Sequence, residues 1–175
     1  CGLVSVMGGK WTTCRPMALD TLAAVERQLG QALPSPKAMA LLGSGPTPTA
    51  TRDKLEEQKN QLKDLLLNTP QRDAQIAHLQ GSHGIQAVPL IAAAAPEERA
   101  PLSDVIPLCE AEIVHAIKVE QARSSTDVLA RRCRLAMVDF AEAQRLEPIT
   151  EKHLAQSGLE SAATSTSPMS HQLNP

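Results

Sequence analysis

One Trp, one Phe and no Tyr occur in 175 residues, so any core this chain builds must be filled by Leu, Ile, Val and Ala. Aromatic side chains bury the largest areas per residue and make the anchors of stacked interfaces. Without them the core has to be assembled from many small apolar contacts at regular spacing, and Ala and Leu are among the strongest helix formers. A mainly helical chain is the expectation. The same scarcity excludes a base-stacking platform for nucleic acid. Seventeen Lys+Arg against 19 Asp+Glu, a formal charge of −2, leaves no basic excess to track a phosphate backbone, and no nucleic acid partner is expected. At this length a single domain can bury about two-thirds of the surface its unfolded chain exposes.

Other bulk features narrow the class. Cys1, Cys14, Cys109 and Cys133 are too few and too far apart for a disulfide framework, and none forms a C-x-x-C pair. A reducing compartment follows. No apolar run approaches the roughly 18 residues of a membrane span, and no basic-then-apolar leader stands at the start. The chain opens at Cys1, without Met and inside a strand-like run, which reads as a fragment.

Gly2 to Met7 is short, partly β-branched and closed by Gly8-Gly9, the pattern of a buried strand entering a tight turn. From Thr12 the period changes. Thr12 or Thr13 can cap a helix, Pro16 is tolerated in its first turn, and Met17, Leu22, Val25 and Leu29 recur at helical spacing before Gly30. Residues 33–51, with Pro34, Pro36, Pro46 and Pro48 among Gly, Ser and Thr, read as a loop or linker. A helical body is expected from 52 to 158: a polar helix from Thr51 to Leu67, another from Thr69-Pro70 to Gly81, an apolar helical segment over 84–95, and a last short helix over 149–158. Its centre is expected to be an antiparallel helix pair at 107–143. Cys109, Ile113, Ala116 and Ile117 form one apolar face, and Leu129, Cys133, Ala136, Met137 and Phe140 the other, with Thr126 as N-cap. Residues 159–175, rich in Ser and Thr, are expected to be a disordered tail.

The richest chemistry lies in Gly8-Gly9-Lys10-Trp11-Thr12-Thr13. Two glycines between a strand and a helix let the backbone approach a ligand, and amides at a helix start point positive charge at an anion or polarised oxygen. A Walker P-loop is excluded, because it would need Gly at Val4 and Ser or Thr at Trp11. The same residues also suit a plain tight turn with Lys10 solvated. Elsewhere the bland reading prevails. Gly43-Ser44-Gly45 lacks the rest of a dinucleotide fingerprint; His78 and His83 do not share a helical face; His115 and His153 have no second ligand at helical spacing, so no metal site is expected. Cys109 and Cys133 read as core thiols. Glu110 and Glu112, about 200° apart on a helix, cannot act as a carboxylate pair. Arg131, Arg132 and Arg134 are read as salt-bridge partners of Glu110, Glu112 and Glu120 across the helix pair. No catalytic residue is assigned.

Two segments resemble one family. Gly8-Gly9-Lys10-Trp11-Thr12-Thr13-Cys14-Arg15-Pro16-Met17-Ala18 resembles the G-G-K-[WL]-T-T-Y-R-x-M-A stretch of FAD-dependent, quinone-linked glycerol-3-phosphate dehydrogenases. Cys109-Glu110-Ala111-Glu112-Ile113, with Glu120 and Asp127 to Ala136, resembles the acidic and R-R-[TC]-R-L helix pair of their C-terminal domain. The resemblance implies a C-terminal helical domain preceded by the last strand-turn-helix of an FAD-binding α/β domain, the remnant being 1–32. It implies an enzyme that oxidises sn-glycerol 3-phosphate to dihydroxyacetone phosphate, with FAD as cofactor and quinone as acceptor. The fragment alone is not expected to be active, and its first partner would be the missing N-terminal FAD domain. A homodimer is among the assemblies it allows. Gly8, Gly9, Lys10, Trp11, Thr12 and Thr13 would bind the cofactor near the flavin O2 edge, and Lys10 would reach either flavin or the substrate phosphate. The complete enzyme would be cytoplasmic and peripheral at the inner face of the membrane. Two other readings stay open: a glycerol-phosphate oxidase that uses oxygen, and a helical interaction module without chemistry. Cys14 stands where the family has Tyr, and Ser82-His83-Gly84 where it tends to have Tyr-Gly.

Overall fold

Leu, Ala and Ile at three- and four-residue spacing give a helix one apolar stripe, and burying those stripes against one another is what organises most of this chain. The computed structural model describes residues 2–35, 37 and 39–158. They fall into two units, 1–39 and 40–175. Residues 159–175, expected to be a disordered tail, lie outside the described residues.

The first unit corrects an expectation. Gly2 to Met7 forms no strand, and none forms anywhere among the described residues, where an isolated antiparallel bridge joins Pro101 to Cys109. A strand is held by pairing its N–H and C=O groups with a neighbour. No second strand is at hand, so Leu3 and Met7 are 79% and 91% exposed. The expected strand-turn-helix is therefore absent as such. An extended segment leads into a 3-10 turn at Trp11–Thr13 and then into α1, Cys14–Leu29. Gly30 ends α1 in the left-handed region at φ 67°, its N–H donating to the Glu26 carbonyl. α1 buries no residue, and Leu19, Leu22 and Leu29 stand exposed.

The second unit carries two apolar clusters. In the first, α2 (Pro48–Leu65), α3 (Arg72–His83) and α4 (Ala87–Ala93) bury Leu62, Leu66, Ile76, Leu79, Ala87 and Ile91. α2 begins three residues before the expected Thr51, because Thr47 Oγ1 accepts from the Ala50 N–H at 3.1 Å and Pro48, at the first helical position, has no N–H to leave unpaired. α3 runs past Gly81 to His83. In the second cluster, α5 (Glu110–Lys118) buries Ile113, Ala116 and Ile117 against Val128, Leu129, Leu135, Ala143 and Leu146. Cys109, at the start of α5, and Ala111 belong to the first cluster, so α5 is the wall both share.

The helix expected from 126 to 143 is broken. Residues Asp127–Arg132 form a π-helix closed by the Cys133 N–H to Val128 C=O bond at 3.0 Å, and Arg134 adopts φ 62°. α6 is then only Leu135–Val138, and α7 runs Phe140–Gln156. The wider turn and the left-handed Arg134 rotate the following residues. Leu135 and Ala136 take the core, and Met137 is turned out to 61% exposure, against its expected burial; Ile113, Ile117 and Leu129 are buried as expected. Thr126 makes no side-chain cap. Ser124 does, accepting from the Asp127 N–H at 3.1 Å while Asp127 accepts from Arg123 N–H at 2.9 Å. α7 continues through Pro148, where a separate helix was expected to start. An interior proline costs about 3 kcal/mol; Ala143 and Leu146 before it and Thr150 after it are all buried on α7 and offset that cost.

One close approach in this unit needs glycine. Gly84 ends α3 at φ 56°, and the Ile85 N–H donates to the Gly43 carbonyl at 2.9 Å. A Cβ on Gly84 would overlap the Gly43 carbonyl oxygen. Gly84→Ala is expected to destabilise the fold by about 2–3 kcal/mol in urea denaturation. Gly81→Ala, inside α3 with open space at its Cβ, should be neutral or stabilising by up to about 1 kcal/mol. Equal effects of the two substitutions would refute the close approach.

Candidate functional site

Two places concentrate polar chemistry, one in each unit. In the first, Gly8 and Gly9 adopt φ 77° and 115°, a region that L side chains rarely enter. Around Gly8 the space is open, while a Cβ on Gly9 would meet the Met17 thioether. Lys10 and Thr13 close the turn: Thr13 N–H donates to the Lys10 carbonyl at 2.9 Å, the Thr13 hydroxyl donates to the same oxygen at 3.0 Å, and Lys10 N–H donates to Thr13 Oγ1 at 3.3 Å. Thr13 therefore stabilises the turn instead of capping α1. Gly8, Gly9, Lys10, Trp11, Thr12 and Thr13 are all exposed, Trp11 at 90%. These residues share one open turn at the start of a 16-residue helix.

In the second unit Glu112 is buried on α5, and its Oε1 accepts hydrogen bonds from His78 Nε2 at 2.9 Å and His83 Nε2 at 3.0 Å. Its Oε2 accepts from the Cys109 N–H at 3.1 Å. Burial on its own would raise the Glu112 pKa, but the two histidine hydrogen bonds and then their charge pull it down to about 2. Burial, with the Glu112 charge beside it, pushes the Cys109 thiol up to about 12, and burial raises that of Cys133 as well. Cys109 is a buried core thiol, as expected, and Cys133 is half-buried against the second cluster. Glu110 faces elsewhere, accepting from His153 Nε2 at 2.7 Å. The expected salt-bridged helix pair is thus corrected. Glu112 and Glu110 go to histidines, Arg131 pairs with Asp127 at 2.6 Å, and Arg132 reaches Glu120 only at 3.9 Å. His78, His83, Glu112, Glu120 and Arg132 line a cavity of about 140 Å³. A larger one of about 660 Å³ lies among α4, α5 and α7, bordered by His115 and His153.

Comparison with known proteins decides the family. The pattern described as the C-terminal domain of alpha-glycerophosphate oxidase matches residues 37–159. The chain belongs to that family. The mitochondrial glycerol-3-phosphate dehydrogenase of Arabidopsis thaliana is 32% identical over 161 residues, which are 86% of this chain and 25% of that protein. The mitochondrial enzyme of Schizosaccharomyces pombe is 30% identical over 93% of this chain and 28% of its own length. The glycerol-3-phosphate dehydrogenase of Mycobacterium leprae is 31% identical over 78% of this chain and 23% of its own. The chain thus spans about a quarter of the length of these relatives. No solved structure is found to match it. Among the described residues no helix is long and apolar enough to cross a membrane.

Within this member of the oxidase C-terminal domain family, the glutamate and histidines are what sequence reasoning missed. His78 and His83 lie five residues apart and Glu112 lies 29 residues further on, a separation with no period to read. Their meeting predicts how the domain responds to acid. Glu112 stays ionised in the fold down to about pH 2, against an ordinary value of 4.5. Its contribution is therefore complete above about pH 4.5 and is lost as pH falls toward 2. Glu112→Ala, which strips the Cys109 amide and both imidazoles of an acceptor, should cost about 2–4 kcal/mol at pH 7. The difference from the parent chain should shrink on acidification. A variant equally destabilised at pH 7 and pH 2.5 would refute the assignment.

Proposed function

We propose that this chain is the C-terminal part of an FAD-dependent glycerol-3-phosphate dehydrogenase, which oxidises sn-glycerol 3-phosphate to dihydroxyacetone phosphate and passes the electrons to quinone. The observation that carries the reading is alignment with three-tenths identity over 86% of this chain to a glycerol-3-phosphate dehydrogenase, together with the Gly-Gly-Lys-Trp-Thr-Thr turn at its start. The oxidase variant of the reading rests on the family description, which names alpha-glycerophosphate oxidase; oxygen uptake by the complete enzyme without added quinone would favour it.

FAD, when bound, would supply the acceptor for the hydride removed from C2 of the glycerol phosphate. The residues at hand fit one edge of such a group. The turn is open, Gly8 has no neighbour over its Cα face, and its backbone is held by the Lys10–Thr13 bonds. Gly8 and Gly9 let the chain pass close to the ring edge. The peptide dipoles of α1 add positive potential there, and Trp11 and Thr12 flank the approach. Lys10 adds a mobile point charge toward the ring edge or the substrate phosphate. The exposed Leu19, Leu22 and Leu29 of α1 would be covered by the cofactor domain, which also supplies the sheet that residues 2–7 need. The helical domain would then be a scaffold on that domain, and the complete enzyme peripheral at the membrane.

Two outcomes test this reading. Free FAD titrated into the 175-residue chain should bind weakly or not at all, since one ring-edge contact supplies little affinity; a submicromolar dissociation constant would refute the assignment of the pyrophosphate site to another part of the enzyme. In the complete enzyme, Lys10→Ala should lower kcat/KM by about 10- to 1,000-fold, or about 1.4–4 kcal/mol, the range for one charge in a preorganised site. Unaltered kinetics would remove Lys10 from the site.

A further inference from the structure

Three side chains converge in the second unit: His83 at the end of α3, His115 in α5, and Glu120, five residues on, just beyond α5, its N–H donating to the His115 carbonyl at 3.2 Å. One ring nitrogen of each histidine and a carboxylate oxygen of Glu120 lie within 4.8 Å of one another. The two rings meet edge to face, their centroids 5.5 Å apart and their planes at 82°. His115 Nε2 stands 3.9 Å from Glu120 Oε1.

We infer that His83, His115 and Glu120 form a binding site for a divalent transition metal of the zinc class. Two imidazoles and one carboxylate are a donor set that suits zinc, cobalt and nickel, and three protein ligands leave a fourth position to water. A tetrahedral ion with bonds of 2.0–2.1 Å places its ligand atoms about 3.3 Å apart. The 3.9 Å between His115 and Glu120 would close to that by a small rotation of Glu120, whose side chain is 39% exposed and makes no hydrogen bond that holds it. The Glu120 carboxylate is held only by a long ion pair with Arg132. Its contacts to His115 and to Arg132 Nε are both 3.9 Å, too long for hydrogen bonds, and Arg132 faces Oε2, leaving Oε1 for the ion. His83 is already oriented, because Glu112 Oε1 accepts from its Nε2 at 3.0 Å and leaves Nδ1 as its lone pair. A carboxylate behind a ligating imidazole is the arrangement that fixes ring and tautomer at metal centres. The sequence has no paired-ligand motif here because α3, α5 and the following turn each supply one group. This site is independent of the glycerol-phosphate reading.

The test uses the 175-residue chain, stripped with chelator and titrated with Zn²⁺ by calorimetry and with Co²⁺ by visible absorption. One equivalent should bind with a dissociation constant of about 1 μM or tighter, Co²⁺ should give tetrahedral d–d bands, and Zn²⁺ should raise the Tm. His115→Ala and Glu120→Gln should each weaken binding at least about tenfold. Glu120→Gln, at a half-exposed position, should keep the circular dichroism and metal-free Tm of the parent, so that its loss of affinity is not a loss of fold. Cys133→Ser, at a residue that lines the same cavity as His83 and Glu120 but lies outside the donor set, should bind as the parent does. Absence of one-equivalent binding, full affinity in Glu120→Gln, or loss of affinity in Cys133→Ser alone would each overturn the site.

Discussion

A carboxylate in an apolar wall has to be satisfied on every side, and Glu112 is where this domain meets that demand. Burial opposes its charge, and four donors answer: the imidazoles of His78 and His83, and the amide and thiol of Cys109. Removing any of them leaves a costly unpaired group. Because two donors sit on α3 and the other two on Cys109 at the start of α5, the network ties α3 to the helix shared by both apolar clusters. His83 is thereby placed beside His115, and Gly84 beside the Gly43 carbonyl.

The second cluster shows packing overriding helical period. An uninterrupted helix from Thr126 would keep Leu129, Cys133 and Met137 on one face. Instead a π turn and a left-handed Arg134 insert a shift, and Leu135 with Ala136 enter the core. A π turn and a positive φ at a non-glycine residue are unfavourable locally. Full burial of Leu135 and Leu129, worth about 1.5–3 kcal/mol per side chain, is the compensation. With so few aromatics the core cannot be filled by one or two large rings, and so several aliphatic residues must reach it even at the expense of a regular backbone.

The first unit is the converse. The turn that follows its glycines is closed by hydrogen bonds between Lys10 and Thr13, yet none of the described residues of the unit is fully buried. Apolar residues on α1 and an unpaired extended segment have the composition of packed elements and the exposure of unpacked ones. That mismatch accords with a role completed by other parts of a larger enzyme, which is the role proposed for the Gly-Gly-Lys turn.

How much could be read beforehand differs by element, and the division is physical. Local information sufficed for α1 with its Gly30 stop, for the segments holding α2 to α5, and for the apolar positions Ile113, Ile117 and Leu129, since spacing and caps act within a few residues. The Gly8-Gly9 turn was legible for the same reason, as was the core thiol Cys109. A strand is not local, so Gly2 to Met7 has strand composition without strand structure. The helix break at Asp127 to Arg134 and the continuity of α7 through Pro148 were settled by which side chains fit the core. The meeting of His78 and His83 with Glu112, and of His83 with His115 and Glu120, depends on α3 and α5 crossing at one place. By itself the sequence determined which segments would be helical and where a glycine turn would precede a helix, because those are short-range properties of the backbone. Only the tertiary structure decided which polar groups share a buried site, because that is a property of distances no spacing along the chain encodes.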